Sequence, residues 1–330
     1  MRAAIKYING YLPDRIIGNA EIERRVNQSG SCIPPGSIER LFGIRERRYA
    51  GENQQTSDLA MLAAIPIVQR VGSDSIDCLI FASACSDLLE PATANIVQTK
   101  LGLHCPVFDI KNACNSFVNG MQVAASFIQS GIYERVLVVN GEILHHSIKY
   151  NLEPDEDISR RLASFTFGDA GVAVLMNASE DGSGLYYQKF KSNGEHWKLC
   201  TIMGGGSLFP HDPRKYYFEG YTSELKAQLI IESKGMVEEA LSETGWKHED
   251  ISHVFTHQVS MNTFDVVARH SGMCKVKFHS IFRNTGNTAA ASIPLAMHNC
   301  LVEGSLKKGD KILIIGLAAG VSISVQLIIW

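Results

Sequence analysis

The chain of 330 residues lacks any uninterrupted apolar run close to the roughly 18 residues that a membrane-spanning helix needs. It also lacks a strong excess of either charge, since 31 lysines and arginines stand against 34 aspartates and glutamates. A general nucleic-acid binder would carry a basic surplus. We therefore expect neither a membrane span nor a nucleic-acid partner.

Cysteine is present, but not in the patterns of a metal-binding or disulfide-rich protein. None of the eight cysteines forms a Cys-x-x-Cys pair, and no cysteine–histidine cluster has zinc-finger spacing. The first residues carry charge without the apolar core of an export signal. The sequence thus predicts a reduced, cytoplasmic protein without a metal, whose thiols are mostly structural.

Apolar β-branched runs alternate with amphipathic segments along the chain, which indicates an α/β fold with parallel sheets covered by helices on both faces. The second half repeats the order of the first. A long helix predicted over residues 223–244, for example, matches the helix predicted over 56–71. We expect an internal duplication, with an N-terminal half over 1–178 and a C-terminal half over 179–330.

A nucleophile is predicted at Cys114. It lies between an apolar run, 106–110, that predicts a buried strand and an amphipathic segment, 117–130, that predicts a helix. Free backbone N–H groups and the positive end of the helix dipole at such a turn favour a thiolate. A lone cysteine is more often a small buried apolar residue, so this reading depends on its partners.

Two partners come from the second half of the chain. His257 follows a predicted strand, and Asn287 lies in a polar turn before a predicted helix. Alone, the first could be a core histidine and the second a helix N-cap. Ligand chemistry in α/β sheets gathers at the carboxyl ends of strands, where all three residues are placed. A thiol, an imidazole and a carboxamide together can attack a thioester and stabilise an enolate.

The motifs around these residues resemble a known family. Three of them resemble the active-site motifs of the β-ketoacyl-acyl carrier protein synthase III family, within the thiolase superfamily: Ala113-Cys114, His257-Gln258 and Gly286-Asn-Thr-Ala-Ala-Ala-Ser-Ile-Pro294. Two further signatures are similar as well: Gly43-Ile-Arg-Glu-Arg and Phe167-Gly-Asp. The resemblance runs in order from about residue 3 to residue 330. By themselves, the arginines of residues 43–48 could equally form a solvated surface or meet a phosphate-bearing ligand.

The resemblance implies a homodimer of duplicated βαβαβαββ halves with a five-layered αβαβα core. It implies acyl transfer to Cys114 from coenzyme A or an acyl carrier protein, then decarboxylative condensation with a malonyl thioester. His257 and Asn287 would bind the malonyl carbonyl and stabilise the enolate. Backbone amides of Cys114 and of the Ala319–Gly320 turn would hold the acyl oxyanion. No cofactor beyond these thioester carriers is implied.

Several departures from the family pattern favour a specialised pathway over housekeeping fatty-acid synthesis. No tryptophan stands before the Gly43 motif, where the family stacks one on the adenine of coenzyme A. Glu90 occupies a position where a bulky apolar residue usually shapes the acyl pocket of the partner subunit. A carboxylate facing an alkyl chain would lose hydration without gaining a partner. Either Leu89 lines that pocket instead, Glu90 pairs with a cation across the interface, or the acyl group is short or polar.

Other functions remain open from the sequence. The acyl group on Cys114 could pass to an alcohol or amine without decarboxylation. A catalytically silent partner subunit would be expected to have lost the triad, which is intact here. A papain-type cysteine hydrolase would carry its own local signature around the cysteine, and that signature is absent.

Overall fold

The structure is a computed structural model that describes residues 2–28, 30, 33–153 and 156–330. Its strands are β1 (Ala3–Tyr11), β2 (Arg15–Gly18), β3 (Glu46–Tyr49), β4 (Cys78–Ala82), β5 (Val107–Ile110), β6 (Arg135–Glu142), β7 (Ala170–Ala178), β8 (Gly184–Ser192), β9 (Cys200–Thr201), β10 (Glu219–Gly220), β11 (His253–Thr256), β12 (Lys311–Ala318) and β13 (Ser322–Ile329). Its α-helices are α1 (Asn19–Asn27), α2 (Ser37–Phe42), α3 (Thr56–Val71), α4 (Thr93–Leu101), α5 (Ser116–Gln129), α6 (Thr222–Ser233), α7 (Met236–Thr244), α8 (Met261–Ser271), α9 (Phe282–Thr285) and α10 (Ser292–Val302).

Two sheets of matching topology carry the core. The first has the strand order β1-β7-β6-β4-β5, and the second has the order β8-β13-β12-β11. An isolated parallel bridge between Val254 and Phe278 continues the second sheet where β5 continues the first. The predicted repeat is therefore visible in the strand order. The sheets are mixed rather than wholly parallel, because β7 and β13 run antiparallel to their neighbours.

Helices cover both faces of both sheets, giving the five layers that the resemblance implies. Helices α5 and α10 lie between the two sheets and share one large apolar cluster with their inner faces. Helices α3 and α4 cover the outer face of the first sheet, and α7 and α8 cover the outer face of the second. All strands of the first sheet lie before residue 179 and all strands of the second lie after it. The division into two domains at that residue stays a prediction.

The single helix predicted over residues 223–244 is wrong. The structure has two helices there, and the chain breaks between them at Lys234 and Gly235, where Gly235 adopts a φ of +79°. Glycine reaches this left-handed region without steric cost, so the chain can end one helix and begin another at this position. The consequence is asymmetric packing, since α7 buries four residues and α6 buries none.

One arginine of the predicted basic run is structural. Arg47 is completely buried and donates to the carbonyl oxygens of Ile17 and Phe165 and to the side chain of Asn19. Burial lowers its pKa. Arg45, by contrast, is exposed and pairs with a glutamate. Neither alternative drawn from the sequence, a solvated surface or a phosphate site, describes Arg47.

Candidate active site

Cys114 lies in the turn between β5 and α5, where the sequence placed it. The preceding residue, Ala113, has a φ of +46°, a left-handed conformation that costs a non-glycine residue about 1 kcal/mol or more. Ser116 holds this turn closed, because its hydroxyl donates to the Ala113 carbonyl at 2.7 Å and accepts the Asn112 N–H at 2.8 Å. The strained turn directs Cys114 into a cavity.

The surroundings of Cys114 favour the thiol over the thiolate. Burial raises its pKa above the ordinary range, and the neighbouring Glu142 and Cys200 raise it further. The α5 N-terminus begins two residues later, as predicted. This direction opposes the thiolate expected from the sequence, because desolvation disfavours the charged sulfur. The thiol must therefore lose its proton when substrate binds.

His257 follows β11 and is a buried, neutral imidazole. Burial lowers its pKa to about 4. Its Nδ1 lies 2.9 Å from the Ser292 hydroxyl, which itself donates to the Ala289 carbonyl at 2.9 Å. With that hydroxyl proton committed to Ala289, Nδ1 must carry a hydrogen and donate it. We assign the Nδ1–H tautomer on this hydrogen-bond network, which leaves the Nε2 lone pair free.

Asn287 presents a hydrogen-bond donor, whereas the free nitrogen of His257 is an acceptor. Its side-chain oxygen accepts the N–H of Ala289 at 3.0 Å, so the free group is the amide NH₂. Its backbone is fixed by the predicted Phe167-Gly-Asp motif, through bonds from the Asn287 N–H to the Thr166 carbonyl and from the Gly168 N–H to the Asn287 carbonyl. A methyl group on Gly168 would lie 2.0 Å from the Thr285 carbonyl oxygen, so this close approach requires glycine.

These three side chains line one cavity of about 740 Å³. Ala319 also lines it, whereas Gly320 continues the same turn at a φ of +125° and is not among the lining residues. Leu89 and Glu90 lie elsewhere, on an exposed loop that does not reach the cavity of its own chain, with Leu89 83% exposed. Their predicted place in the pocket of a partner subunit stays a prediction.

Sequence reasoning missed the residues that position and surround the triad. Ala289 orients both His257 and Asn287. Its carbonyl accepts from Ser292, which contacts His257, and its N–H donates to Asn287. Ala289 itself has a φ of +42°. Glu142 is a fully buried carboxyl that accepts from Ala84 N–H and Asn140 Nδ2. Its signal in the sequence was an acidic residue that follows the apolar run Val136–Val139 by three positions. Cys85 and Cys200 line the same cavity as Cys114, so the cavity holds three thiols.

Among the described residues, no group of three or more His, Cys, Asp or Glu side chains could hold a metal ion. Within the same ranges, no helix is both long enough and apolar enough to cross a membrane. The seven cysteines that the structure describes are all free, and Cys32 lies outside the described residues.

The sequence matches two profiles of one family. Residues 108–194 match 3-oxoacyl-[acyl-carrier-protein] synthase III, and residues 241–330 match the C-terminal region of the same enzyme. The synthase III of Roseiflexus castenholzii is 32% identical over 97% of this chain and 95% of its own length. That of Neisseria meningitidis serogroup B is 31% identical over 96% of each. The chain belongs to the 3-oxoacyl-[acyl-carrier-protein] synthase III family.

Solved structures agree with this assignment. FabH from Pseudomonas aeruginosa, a 3-oxoacyl-(acyl carrier protein) synthase III, superposes with a TM-score of 0.87 at 26% identity and covers 100% of this chain and 98% of that one. A cysteine-to-serine variant of Xanthomonas campestris OleA, solved with lauric acid and lauroyl-CoA, gives a TM-score of 0.89 at 28% identity over 100% and 99%. The fold is thus the thiolase-like fold of synthase III condensing enzymes, and the protein is an acyltransferase of that class.

Proposed function

We propose that this synthase III family member forms an acyl-Cys114 intermediate and condenses it with a malonyl thioester, releasing carbon dioxide. The observation that carries the proposal is that three side chains with different chemical roles line the same cavity. Cys114 supplies a thiol, His257 a free basic nitrogen, and Asn287 a free amide donor. Coenzyme A or an acyl carrier protein would deliver both acyl groups, and the proposed reaction uses no other cofactor.

The first half-reaction begins from neutral partners. As the Cys114 sulfur attacks the thioester carbonyl, its proton passes to Nε2 of His257. Backbone N–H groups of Cys114 and of the Ala319–Gly320 turn would hold the oxyanion. The carbon–sulfur bond to the carrier then breaks, and the leaving sulfur takes the proton from Nε2 of His257, so the carrier leaves as a thiol. This assigns His257 as the base, which differs from the neutral donor expected from the sequence.

The second half-reaction begins with His257 taking a proton at Nε2 as the negatively charged malonyl carboxylate enters beside it, since a nearby opposite charge favours the imidazolium. The malonyl carbonyl accepts from Asn287 Nδ2 and from the protonated Nε2 of His257. The bond to the malonyl carboxylate breaks, carbon dioxide leaves, and the electron pair forms an enolate stabilised by these two donors. The enolate carbon attacks the acyl thioester, the bond to sulfur breaks, and the Cys114 thiolate recovers its proton from His257.

The pathway is proposed to be a specialised one, such as secondary-metabolite or polyketide assembly. Support comes from the departures from the family pattern: the missing adenine-stacking tryptophan and the carboxylate of Glu90. We also propose a homodimer, in which Leu89 and Glu90 border the pocket of the partner subunit. Their exposure on the single chain is compatible with an interface. A cytoplasmic location stays a prediction.

The test combines two measurements on the wild-type chain. Intact-mass spectrometry after incubation with acyl thioesters should show one acyl addition, and carboxyl-labelled malonyl thioester should then release labelled carbon dioxide together with loss of that addition. Transfer of the acyl group to an alcohol or amine without carbon dioxide release would replace the condensation by the alternative reaction. No acyl addition with any thioester would refute the acyl-Cys114 intermediate.

A further inference from the structure

Residues 278–282 lead from the second sheet to the turn that carries Asn287. The segment begins beside β11, where Phe278 forms a parallel bridge with Val254 and the His279 N–H donates to the Val254 carbonyl at 3.4 Å. It ends at the start of α9, and Asn287 follows two residues after that helix. We call these residues the 278–282 segment. Their path decides where Asn287 lies relative to β11.

The side chain of Gln258 is bonded to this segment through both ends of its amide. Gln258 is fully buried and lies two residues beyond the end of β11. Its Oε1 accepts the backbone N–H groups of Ile281 and Phe282 at 2.9 and 3.0 Å, and the Ser280 hydroxyl donates to the same oxygen at 3.3 Å. Its Nε2 donates to the His279 carbonyl at 3.1 Å. The amide thus continues, through a side chain, the pairing that β11 makes with its backbone.

These bonds also fix the orientation of the Gln258 amide. A backbone N–H can only donate and a carbonyl oxygen can only accept, so the amide oxygen faces Ile281 and Phe282 and the nitrogen faces His279. Without this amide, two buried N–H groups would lose their acceptor. Because an unpaired buried N–H is costly, the segment would move to find another partner. The path of the segment therefore depends on Gln258.

The backbones of His257 and Asn287 are held by different parts of the chain. The His257 N–H donates to the carbonyl of Ile315 in β12 at 3.4 Å. The Asn287 N–H donates to the carbonyl of Thr166, which precedes β7 in the first sheet, at 2.8 Å. Gln258 connects the two, because its backbone follows His257 directly and its side chain holds the segment that leads to Asn287.

We propose that Gln258 is a positioning residue for condensation, which sets the distance between Nε2 of His257 and Nδ2 of Asn287. The inference rests on the proposed function, in which these two atoms bind the malonyl carbonyl. Both donors must reach one oxygen, so a displacement of about 1 Å between them should slow condensation by about a hundredfold. Acylation of Cys114 uses His257 and not Asn287, so the first half-reaction should be spared.

The test compares two buried glutamines. Gln258→Met removes the bonding atoms and keeps a side chain of similar length. Gln326→Met is the matched control, because Gln326 is also fully buried and donates to a backbone carbonyl, that of Val118, without lining the cavity. Acylation is followed in a single turnover with whichever of acetyl-, octanoyl- and dodecanoyl-CoA acylates the wild type fastest. Condensation is followed by carbon dioxide release from carboxyl-labelled malonyl-CoA.

Condensation by Gln258→Met should fall by about a hundredfold while acylation stays within about threefold of wild type. Gln326→Met should stay within about threefold in both steps. Equal losses of acylation and condensation in Gln258→Met would overturn the inference, because the glutamine would then act on the fold as a whole. An equal loss of condensation in the two variants, or none in Gln258→Met, would overturn it too.

Should Gln258→Met fail to fold, Gln258→Asn takes its place. It keeps the amide but draws it back by one carbon–carbon bond of about 1.5 Å, so condensation should again fall by about tenfold or more, with acylation spared. If the wild type is not acylated or releases no carbon dioxide, the proposed function fails, and crystal structures of the wild type and the variant decide the inference separately. A change of about 1 Å or more between His257 Nε2 and Asn287 Nδ2 would uphold it, and an unchanged distance would refute it.

Discussion

Replacing Asn287 by alanine separates the two proposed half-reactions. Its free NH₂ group is proposed to act on the malonyl carbonyl, and its oxygen accepts the Ala289 N–H at 3.0 Å. Loss of one oxyanion-type donor lowers a rate by about 10²–10³, or about 3–4 kcal/mol of transition-state stabilisation. We therefore expect Asn287→Ala to lose condensation by at least about a hundredfold while acylation of Cys114 stays within about threefold of wild type.

The same substitution also costs stability, because the buried Ala289 N–H loses its acceptor, at about 1–3 kcal/mol. Asn287→Asp separates the two effects. It retains an acceptor for Ala289 but replaces the donating NH₂ by oxygen, so condensation should fall as far while the melting temperature stays closer to wild type. Asn284→Ala is the matched control, since Asn284 lies three residues earlier, in α9, and is exposed.

The assay follows acyl addition by intact mass in a single turnover and then carbon dioxide release after malonyl thioester is added. Condensation by Asn287→Ala within about threefold of the wild-type rate would refute the donor role. Equal loss of acylation and condensation would also refute it, since the amide would then be acting on the first acyl group or on the folded state.

The remaining predictions concern three other positions. Peptide mapping should find acyl groups on Cys114 alone and not on Cys85, which lines the same cavity, and acylation that survives in Cys114→Ala would contradict the assignment. The pKa of His257 is about 4 in the folded chain, against 6.5 ordinarily, so the unfolded chain binds the proton first and stability falls as pH drops through this range. The loss is about 3 kcal/mol, and His257→Gln should remove that part of the pH dependence in denaturant titrations at pH 7 and pH 4. Arg47→Met should destabilise the fold by about 3 kcal/mol or more, because two buried carbonyl oxygens and the half-buried side-chain oxygen of Asn19 lose their donor. An unchanged unfolding midpoint would contradict this structural role.

The sequence by itself predicted most of the strand and helix order, apart from the break between α6 and α7, and it was sufficient to propose the chemistry-bearing residues. Periodicity and turn residues are local properties, so β5, α5 and the turn at Cys114 could be predicted within a few residues. The repeat in element order was also readable, because each half must bury the same kind of strand and helix. Cys114, His257 and Asn287 were identified by their residue types and by their positions after strands or before helices.

The tertiary structure alone decided the pKa shifts and the hydrogen-bonding state of those residues. Burial is set by what packs against a group from distant parts of the chain, so the raised pKa of Cys114 and the lowered pKa of His257 were not visible in the local pattern. The tautomer of His257 depends on Ser292, which lies 35 residues away. The break between α6 and α7 depends on Gly235 adopting a left-handed φ, a conformation that a glycine permits but does not by itself require.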